Sequence, residues 1–153
     1  MKVAIVGGGV SGITLSILLA DFFDVTVFEK NNRILKKLLV TGNGRCNFSN
    51  EIMTRENFHG NEKFLDEFIK SADLRAGENF LNSIGIVSTT DERGRKYPMS
   101  LQANSVVDAY LSAVSEKNIS IRLDTAVEDI AVKNNKFIIN YDYASPFDIC
   151  ILA

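Results

Sequence analysis

Three glycines near the start of the chain, Gly7, Gly9 and Gly12, have the spacing Gly-x-Gly-x-x-Gly, and Glu29 follows at the distance typical of dinucleotide-binding sequences. The first glycine permits a tight turn, the second lets the backbone approach a pyrophosphate, and the third lets a helix pack closely on a strand. The carboxylate accepts hydrogen bonds from the hydroxyls of an adenosine ribose. A valine at Gly9 is expected to occupy the place of the phosphate and to remove the freedom for positive φ.

The glycine pattern leaves the identity of the nucleotide partly open. An acidic residue at Glu29 argues against a ribose that carries a 2′-phosphate, and therefore against NADP at this site. FAD and NAD both remain compatible with the pattern. The alternative interpretation is a glycine turn that binds no nucleotide and only joins a strand to a helix.

A second polar stretch, "TGNGRCNFSN", runs from position 41 to position 50 and buries little apolar surface. Gly42 and Gly44 permit positive φ, so that consecutive backbone N–H groups can converge on an anion. Arg45 adds a permanent positive charge with a planar fork suited to phosphate or carboxylate. Asn43 and Asn47 can donate and accept hydrogen bonds at the edge of a heterocycle. The alternative interpretation is an exposed turn without a ligand.

The elements that must position these residues begin with a β-α-β unit. Residues 2–7 are apolar at successive positions, which is typical of an interior parallel strand. Helical spacing follows over residues 10–22, and residues 24–30 are rich in β-branched and aromatic side chains, which predicts a second strand. The glycines therefore lie between the first strand and the helix, and Glu29 lies at the end of the second strand.

Further elements follow, and the chain ends on a strand that is predicted to be buried and central. Asp73 is a candidate N-cap, Gly85 a candidate helix end, and Asn134 with Asn135 a candidate hairpin turn. The predicted helices are residues 61–72, 73–85 and 103–118, and the predicted strands lie within 86–98, 119–124, 126–133, 136–143 and 147–153.

The bulk composition is that of a globular domain: 153 residues, 46% of them hydrophobic and 24% charged, with a net charge of −2. Neither a basic block nor a membrane-spanning run is present, so we expect a small-molecule substrate and no nucleic acid or membrane partner. Cys46 and Cys150 lie far apart, and His59 is the single histidine, so no metal site is predicted. Free thiols favour a cytoplasmic location.

Five stretches, "GGGVSG", "FEK", "KKLLVTGNGRCNFSN", "GRKYPMS" and "SVVDAYL", resemble one bacterial family along essentially the whole chain. It is the family of FAD-binding oxidoreductases named for aminoacetone oxidase and for bile-acid dehydro-intermediate reductase. The resemblance implies an α/β fold, a Rossmann-like FAD-binding domain of the glutathione-reductase type, with a parallel sheet and a β-meander. It also implies FAD as the cofactor and hydride transfer through it, with NAD(P)H as a candidate electron donor.

The resemblance also implies roles for individual residues. The glycine loop would hold the FAD pyrophosphate, Glu29 and Lys30 would flank the adenosine ribose, and Val127, in a predicted strand, would offer its backbone to the adenine. Lys37 and the loop of residues 42–47 would line the flavin side of the cofactor. The implied cofactor-binding residues are Gly7, Gly9, Val10, Ser11, Gly12, Glu29, Lys30, Lys37, Gly42, Asn43, Gly44, Arg45, Cys46, Asn47 and Val127.

The chain departs from the family in two respects. Leu35 stands where the family usually has a glycine, two positions before Lys37. Residues 1–153 also correspond to the N-terminal part of a discontinuous FAD/NAD(P)-binding domain, so we expect the inserted substrate domain and the C-terminal return to be absent and the chain alone to be inactive. Two other interpretations stay open: a nucleotide-binding fragment without turnover, and an RNA-modifying flavoprotein, which the acidic charge balance disfavours.

Overall fold

The computed structural model describes residues 1–71 and 75–153. The chain divides into two compact units: unit 1 comprises Met1–Leu39 and Tyr110–Ala153, and unit 2 comprises Val40–Ala109. Within the described residues, no helix combines the length and the apolar character needed to cross a membrane.

The described elements are four α-helices and nine strands. In chain order they are β1 (Lys2–Val6), α1 (Val10–Leu19), β2 (Asp24–Phe28), β3 (Ser49–Asn50), α2 (Glu62–Ser71), α3 (Ala76–Ser83), β4 (Ser88–Thr90), β5 (Arg95–Pro98), α4 (Ala103–Glu116), β6 (Ser120–Arg122), β7 (Ile130–Lys133), β8 (Lys136–Ile139) and β9 (Ile149–Leu152). Short 3₁₀ turns occur within Leu38–Gly44, where Thr41, Gly42 and Asn43 are not helical, and at Arg55–Asn57.

Unit 1 is built on a four-stranded sheet in the order β6-β2-β1-β9, with every neighbouring pair parallel. Val3, Ala4 and Ile5 of β1 are fully buried, as the continuous apolar run predicts for an interior parallel strand. The predicted β-α-β unit is therefore confirmed as β1-α1-β2. Helix α1 ends at Leu19 rather than at Phe22, because residues 20–22 turn towards β2.

The last strand differs from the prediction of a buried central strand. In the described sheet β9 lies at the edge and pairs with β1 alone, and Leu152 is 72% exposed. An apolar run does not by itself distinguish a central strand from an edge strand, because pairing partners are set by the rest of the fold.

Strands β7 and β8 form an antiparallel hairpin in unit 1. Asn134 and Asn135 connect the two strands and both have positive φ, of 51° and 58°, so the predicted hairpin turn is confirmed. Val127, in contrast, does not lie in a strand: β7 begins only at Ile130, and the preceding segment bonds to the side chain of Asn140 instead of to a strand ladder. The prediction of a strand over residues 126–129 is therefore wrong.

Unit 2 contains a three-stranded antiparallel sheet in the order β3-β5-β4. The predicted turn between β4 and β5 is confirmed, and the Asp91 carboxylate stabilises it by accepting hydrogen bonds from the N–H groups of Arg93 and Arg95. Gly85 follows α3 with a φ of 84°, as expected for a helix end. The candidate N-cap Asp73 lies outside the described residues.

Candidate functional site

The glycine loop joins β1 to α1 in unit 1 and is closely packed at its two outer glycines. Gly7 has a φ of 117°, and a Cβ atom there would lie 2.2 Å from the carbonyl oxygen of Ala153. A Cβ atom on Gly12 would lie 2.0 Å from the carbonyl oxygen of Gly7. No side chain fits at either distance, so both positions require glycine for close backbone packing, as the sequence predicts.

Gly9 is different, because its surroundings are open. Its φ is −75°, a conformation that any L-residue adopts, so the expectation that Gly9 needs positive φ is wrong. Apart from its two chain neighbours, no described residue has an atom within 4 Å of the place where its Cβ atom would stand. The space next to Gly9 can therefore receive a ligand group, and a side chain would fill that space.

The start of α1 presents N–H donors beside this open space that have no acceptor among residues 1–71 and 75–153. The first α-helical hydrogen bond runs from the Ile13 N–H to the Gly9 carbonyl, so the N–H groups of Val10, Ser11 and Gly12 precede the helical ladder. Gly9, as N-cap, offers no side-chain cap, and Val10 and Ser11 are exposed. Such a terminus attracts anions, because the unpaired N–H groups and the helix dipole both favour negative charge.

Glu29 reaches this loop from the end of β2, and 8% of the residue is exposed. Its Oε2 accepts a hydrogen bond from the Gly8 N–H at 2.8 Å, and its Oε1 accepts one from the Asn31 N–H at 2.8 Å and another from the Asn31 side-chain amide. Burial by itself raises the pKa of Glu29, but these hydrogen bonds outweigh burial and hold the pKa below its usual value. The carboxylate is therefore charged at neutral pH.

Gly8 and Asn31 were not singled out in the sequence, although both contact Glu29. A Cβ atom on Gly8 would lie 2.9 Å from Glu29 Oε2, so glycine is required for this contact. The sequence feature that could indicate a role for Gly8 is its place inside the triplet Gly7-Gly8-Gly9. No sequence feature indicates the role of Asn31, because a polar residue after a strand is common.

We expect Glu29→Gln to destabilise the unliganded protein by about 1–3 kcal/mol at pH 7, because the glutamine NH₂ group would face a backbone N–H donor. The folded-state pKa of Glu29 is lowered, so its stabilisation is complete above the usual pKa of about 4.3 and is lost as the pH falls through the lower folded-state value. Urea unfolding at several pH values measures the difference between variant and wild type.

Exposed Glu51 provides the control, since its carboxylate accepts no backbone N–H bond in the described part of the chain. Glu51→Gln is therefore expected to change stability by less than about 0.5 kcal/mol. A difference between Glu29→Gln and wild type that stays constant down to pH 3 contradicts the prediction.

The remaining predicted residues of unit 1 lie around this site or near it in sequence. Lys30 and Lys37 are exposed. Leu35 has a φ of 60°, the conformation that glycine adopts most easily, which explains why a glycine suits this place. Its N–H donates to the Gly8 carbonyl at 2.8 Å. Val127 lies in the segment that follows Thr125, whose N–H donates to the Glu29 carbonyl at 2.9 Å.

The loop of residues 42–47 lies in unit 2 and turns sharply. Gly42, Asn43, Gly44 and Cys46 all have positive φ, between 54° and 78°. The Cys46 N–H donates to the Thr41 carbonyl at 3.0 Å, which closes the loop on itself. The predicted left-handed glycines are therefore present, and two other residues share their conformation.

Arg45 anchors this loop to the strand that carries the "GRKYP" stretch. Its guanidinium lies 4.8 Å from the ring centroid of buried Tyr97, a cation–π contact. Asn43 and Asn47 are exposed, and Cys46 is buried. Burial raises the pKa of the Cys46 thiol, and a hydrogen bond with Thr41 offsets part of that rise.

The structure thus brings together the glycine loop, Glu29 and, through Thr125, the segment of Val127, all within unit 1. Within unit 2 it connects Arg45 with Tyr97. In the described parts of the chain, no three acidic, histidine or cysteine side chains are grouped as metal ligands.

Solved structures share this fold along 99% of the chain. A crystal structure of Thermovibrio ammonificans THI4 matches with a TM-score of 0.64 at 15% identity, over 55% of its own length. The 3-ketosteroid-delta4-(5alpha)-dehydrogenase of Rhodococcus jostii RHA1 matches with a TM-score of 0.64 at 10% identity, over 45% of its length. At such identities the likeness shows the fold alone, and it confirms the predicted α/β, Rossmann-like class.

Sequence relatives give the family. The chain is 33% identical, over 157 aligned positions, to a 3-dehydro-bile acid delta(4,6)-reductase of Clostridium scindens. That match covers 99% of this chain, and the chain spans 38% of the length of the reductase. The family model described as the HI0933-like protein Rossmann domain matches residues 1–152. The chain therefore belongs to the HI0933-like Rossmann domain family, which confirms the resemblance noted in its sequence.

Proposed function

We propose that this chain binds FAD and serves as the FAD-binding part of a flavin-dependent oxidoreductase. The observation that carries the proposal is the open space at Gly9, which lies directly beside the unbonded N–H groups at the start of α1. The proposal is supported by membership of the HI0933-like Rossmann domain family and by the 33% sequence identity to a bile-acid reductase.

The donors and the charge of unit 1 suit a dinucleotide. The N–H groups of Val10 and Ser11 would donate to the pyrophosphate, whose approach Gly9 permits. The charged carboxylate of Glu29 would accept hydrogen bonds from the ribose hydroxyls, and it would repel a 2′-phosphate. Both oxygens of Glu29 already accept protein donors, so the ribose would either use the remaining lone pairs or displace the Asn31 amide.

For the loop of residues 42–47 in unit 2 we propose a role in cofactor binding, and we propose the same role for Lys37. The positive φ values of the loop and the fixed charge of Arg45 support this role. When bound, FAD supplies a ring that accepts and releases a hydride. We propose NAD(P)H as the electron donor and a small molecule as the substrate.

A cytoplasmic location is also proposed. Its support is that Cys46 and Cys150 are both free thiols, as is usual in a reducing compartment.

The test of the proposed function is a titration of the purified protein with FAD, NAD and ADP, followed by fluorescence and calorimetry. We expect FAD to bind more tightly than NAD, and ADP, which carries the adenosine and the pyrophosphate, to compete with FAD. Binding of NAD without binding of FAD contradicts the proposal. Binding of FAD without oxidation of added NADH or NADPH agrees with the expectation that this chain alone is inactive, and steady oxidation by this chain contradicts that expectation.

A further inference from the structure

One side chain, that of Asn140, holds the segment that precedes β7. Its Nδ2 donates to the Ala126 carbonyl at 2.6 Å, and its Oδ1 accepts from the N–H groups of Glu128 at 2.9 Å and Asp129 at 3.3 Å. The backbone N–H of Asn140 also donates to the Asp129 carbonyl at 2.9 Å. The Asn140 side-chain amide is therefore hydrogen-bonded to the backbone on both sides of Val127.

Val127 itself is held without the use of its backbone polar groups. No hydrogen bond among the described residues involves its N–H or its carbonyl. Its side chain packs against the buried apolar cluster of Ala4, Phe28, Ile139 and Phe147. One donor and one acceptor are thus kept free on a segment whose position is set from two directions.

The same segment is tied to the ribose side of the proposed site. The Thr125 N–H donates to the Glu29 carbonyl at 2.9 Å, and the Asp124 N–H donates to the Asn31 carbonyl at 3.0 Å. A displacement of residues 126–129 would therefore shift Val127 relative to Glu29.

We propose that Asn140 is a positioning residue for adenine recognition, because it fixes the free backbone N–H and carbonyl of Val127 next to the Glu29 segment. The inference rests on the proposed function, since it concerns the adenosine end of the same nucleotide. Asn140 acts through the backbone of Val127 and needs no contact of its own with the ligand.

The chemistry of the base explains why the position of this backbone matters. Adenine carries an amino donor at N6 beside an acceptor at N1, which complements a carbonyl and an N–H group. Hypoxanthine reverses both, with an oxygen at position 6 and an N–H at N1. A residue whose N–H and carbonyl are both fixed therefore discriminates between the two bases, whereas a loosely held one adapts to both.

Asparagine suits this place for two reasons. Its φ is 49°, a left-handed conformation that asparagine tolerates better than most residues. Its amide also supplies both the donor for Ala126 and the acceptor for Glu128 and Asp129. Glycine keeps the backbone conformation and removes all three side-chain bonds, so Asn140→Gly isolates the effect of the amide.

The experiment compares the dissociation constants of ADP and IDP, measured by calorimetry on the full chain. We expect wild type to bind ADP at least roughly tenfold more tightly than IDP. Asn140→Gly is expected to reduce this ratio by at least about threefold, because binding to a flexible segment must also order it. Asn134→Gly is the matched control: Asn134 also has positive φ and is exposed in the hairpin turn, so its ratio should equal that of wild type.

The outcomes separate this inference from the proposed function. Failure of wild type to bind ADP overturns both. Binding of ADP by wild type, with an unchanged ADP/IDP ratio in Asn140→Gly, overturns the inference and leaves the proposed function standing. Equal binding of ADP and IDP by wild type also overturns the inference and leaves the proposed function standing.

A second variant covers the case in which Asn140→Gly does not fold. Asn140→Asp keeps an acceptor for Glu128 and Asp129 and removes the donor to Ala126, and it is expected to lower the ratio by a smaller factor. Glu128 and Asp129 donate their backbone N–H groups to Asn140, so their amide hydrogen exchange, measured without ligand, should be faster in either variant than in wild type. An unchanged ratio together with an unchanged exchange rate overturns the proposal.

Discussion

Gly9→Val is expected to leave the fold intact and to weaken FAD binding by more than tenfold, a loss of at least about 1.4 kcal/mol. The backbone at Gly9 has a φ of −75°, which valine adopts without strain, and no described residue other than its chain neighbours would touch the new Cβ. The side chain would instead fill the space beside the N–H groups of Val10 and Ser11. The measurement pairs an FAD titration with a thermal unfolding curve.

The control for this variant is Gly77→Val in α3. Gly77 also has open surroundings: apart from its chain neighbours and the backbone of its own helix, no described residue has an atom within 4 Å of its Cβ position. It belongs to no proposed site. We expect wild-type affinity for FAD in this variant. Retention of full FAD affinity by Gly9→Val would show that the pyrophosphate does not lie at Gly9, and would remove the main support for the proposed site.

Gly12→Ala is expected to have the opposite profile, with a large loss of stability. The new methyl group would lie 2.0 Å from the Gly7 carbonyl oxygen and 3.3 Å from the Ile5 side chain, so α1 must move away from β1. Overpacking of this kind costs about 1–3 kcal/mol or more, and alanine regains about 1 kcal/mol of helix propensity. Because the overlap involves backbone, we expect the net loss to be about 2 kcal/mol or more, seen as a fall in Tm of roughly 4–8 °C.

Gly77→Ala makes the same substitution inside a helix without the overlap. It is expected to raise the free energy of unfolding by up to about 1 kcal/mol. A Gly12→Ala protein as stable as wild type would mean that helix and strand do not pack closely at this point, and the explanation given for the third glycine would be wrong.

The local sequence predicted those features that neighbouring residues decide. The apolar run of β1, the helical spacing of α1 and the β-branched residues of β2 lie within the first 30 positions, and together they specify the β-α-β unit. The turn at Asn134 and Asn135 was also predictable, since these side chains favour the left-handed conformation that a tight hairpin needs. The family signature was equally a property of sequence, and the family match confirmed it.

Contacts between distant positions could not be predicted in the same way. Only the folded chain shows that Glu29 accepts a bond from Gly8, or that Asn140 takes the place of a strand partner for residues 126–129. The same holds for β9, because an apolar strand suits the centre and the edge of a sheet equally, and its neighbours are set by the whole topology.

Gly9 and Gly12 show most clearly which properties the sequence determines and which the tertiary structure determines. The spacing of the glycines, read from sequence, assigned a role to each position, and those roles hold for the close packing at Gly7 and Gly12. The sequence alone determined that glycine stands at these places and that a dinucleotide fits the pattern. Only the tertiary structure decided why glycine is needed at each place. At Gly12 a carbonyl oxygen excludes a side chain, and at Gly9 the space beside the helix N–H donors stays open. The reason is that the room around a glycine depends on atoms from other elements of the fold.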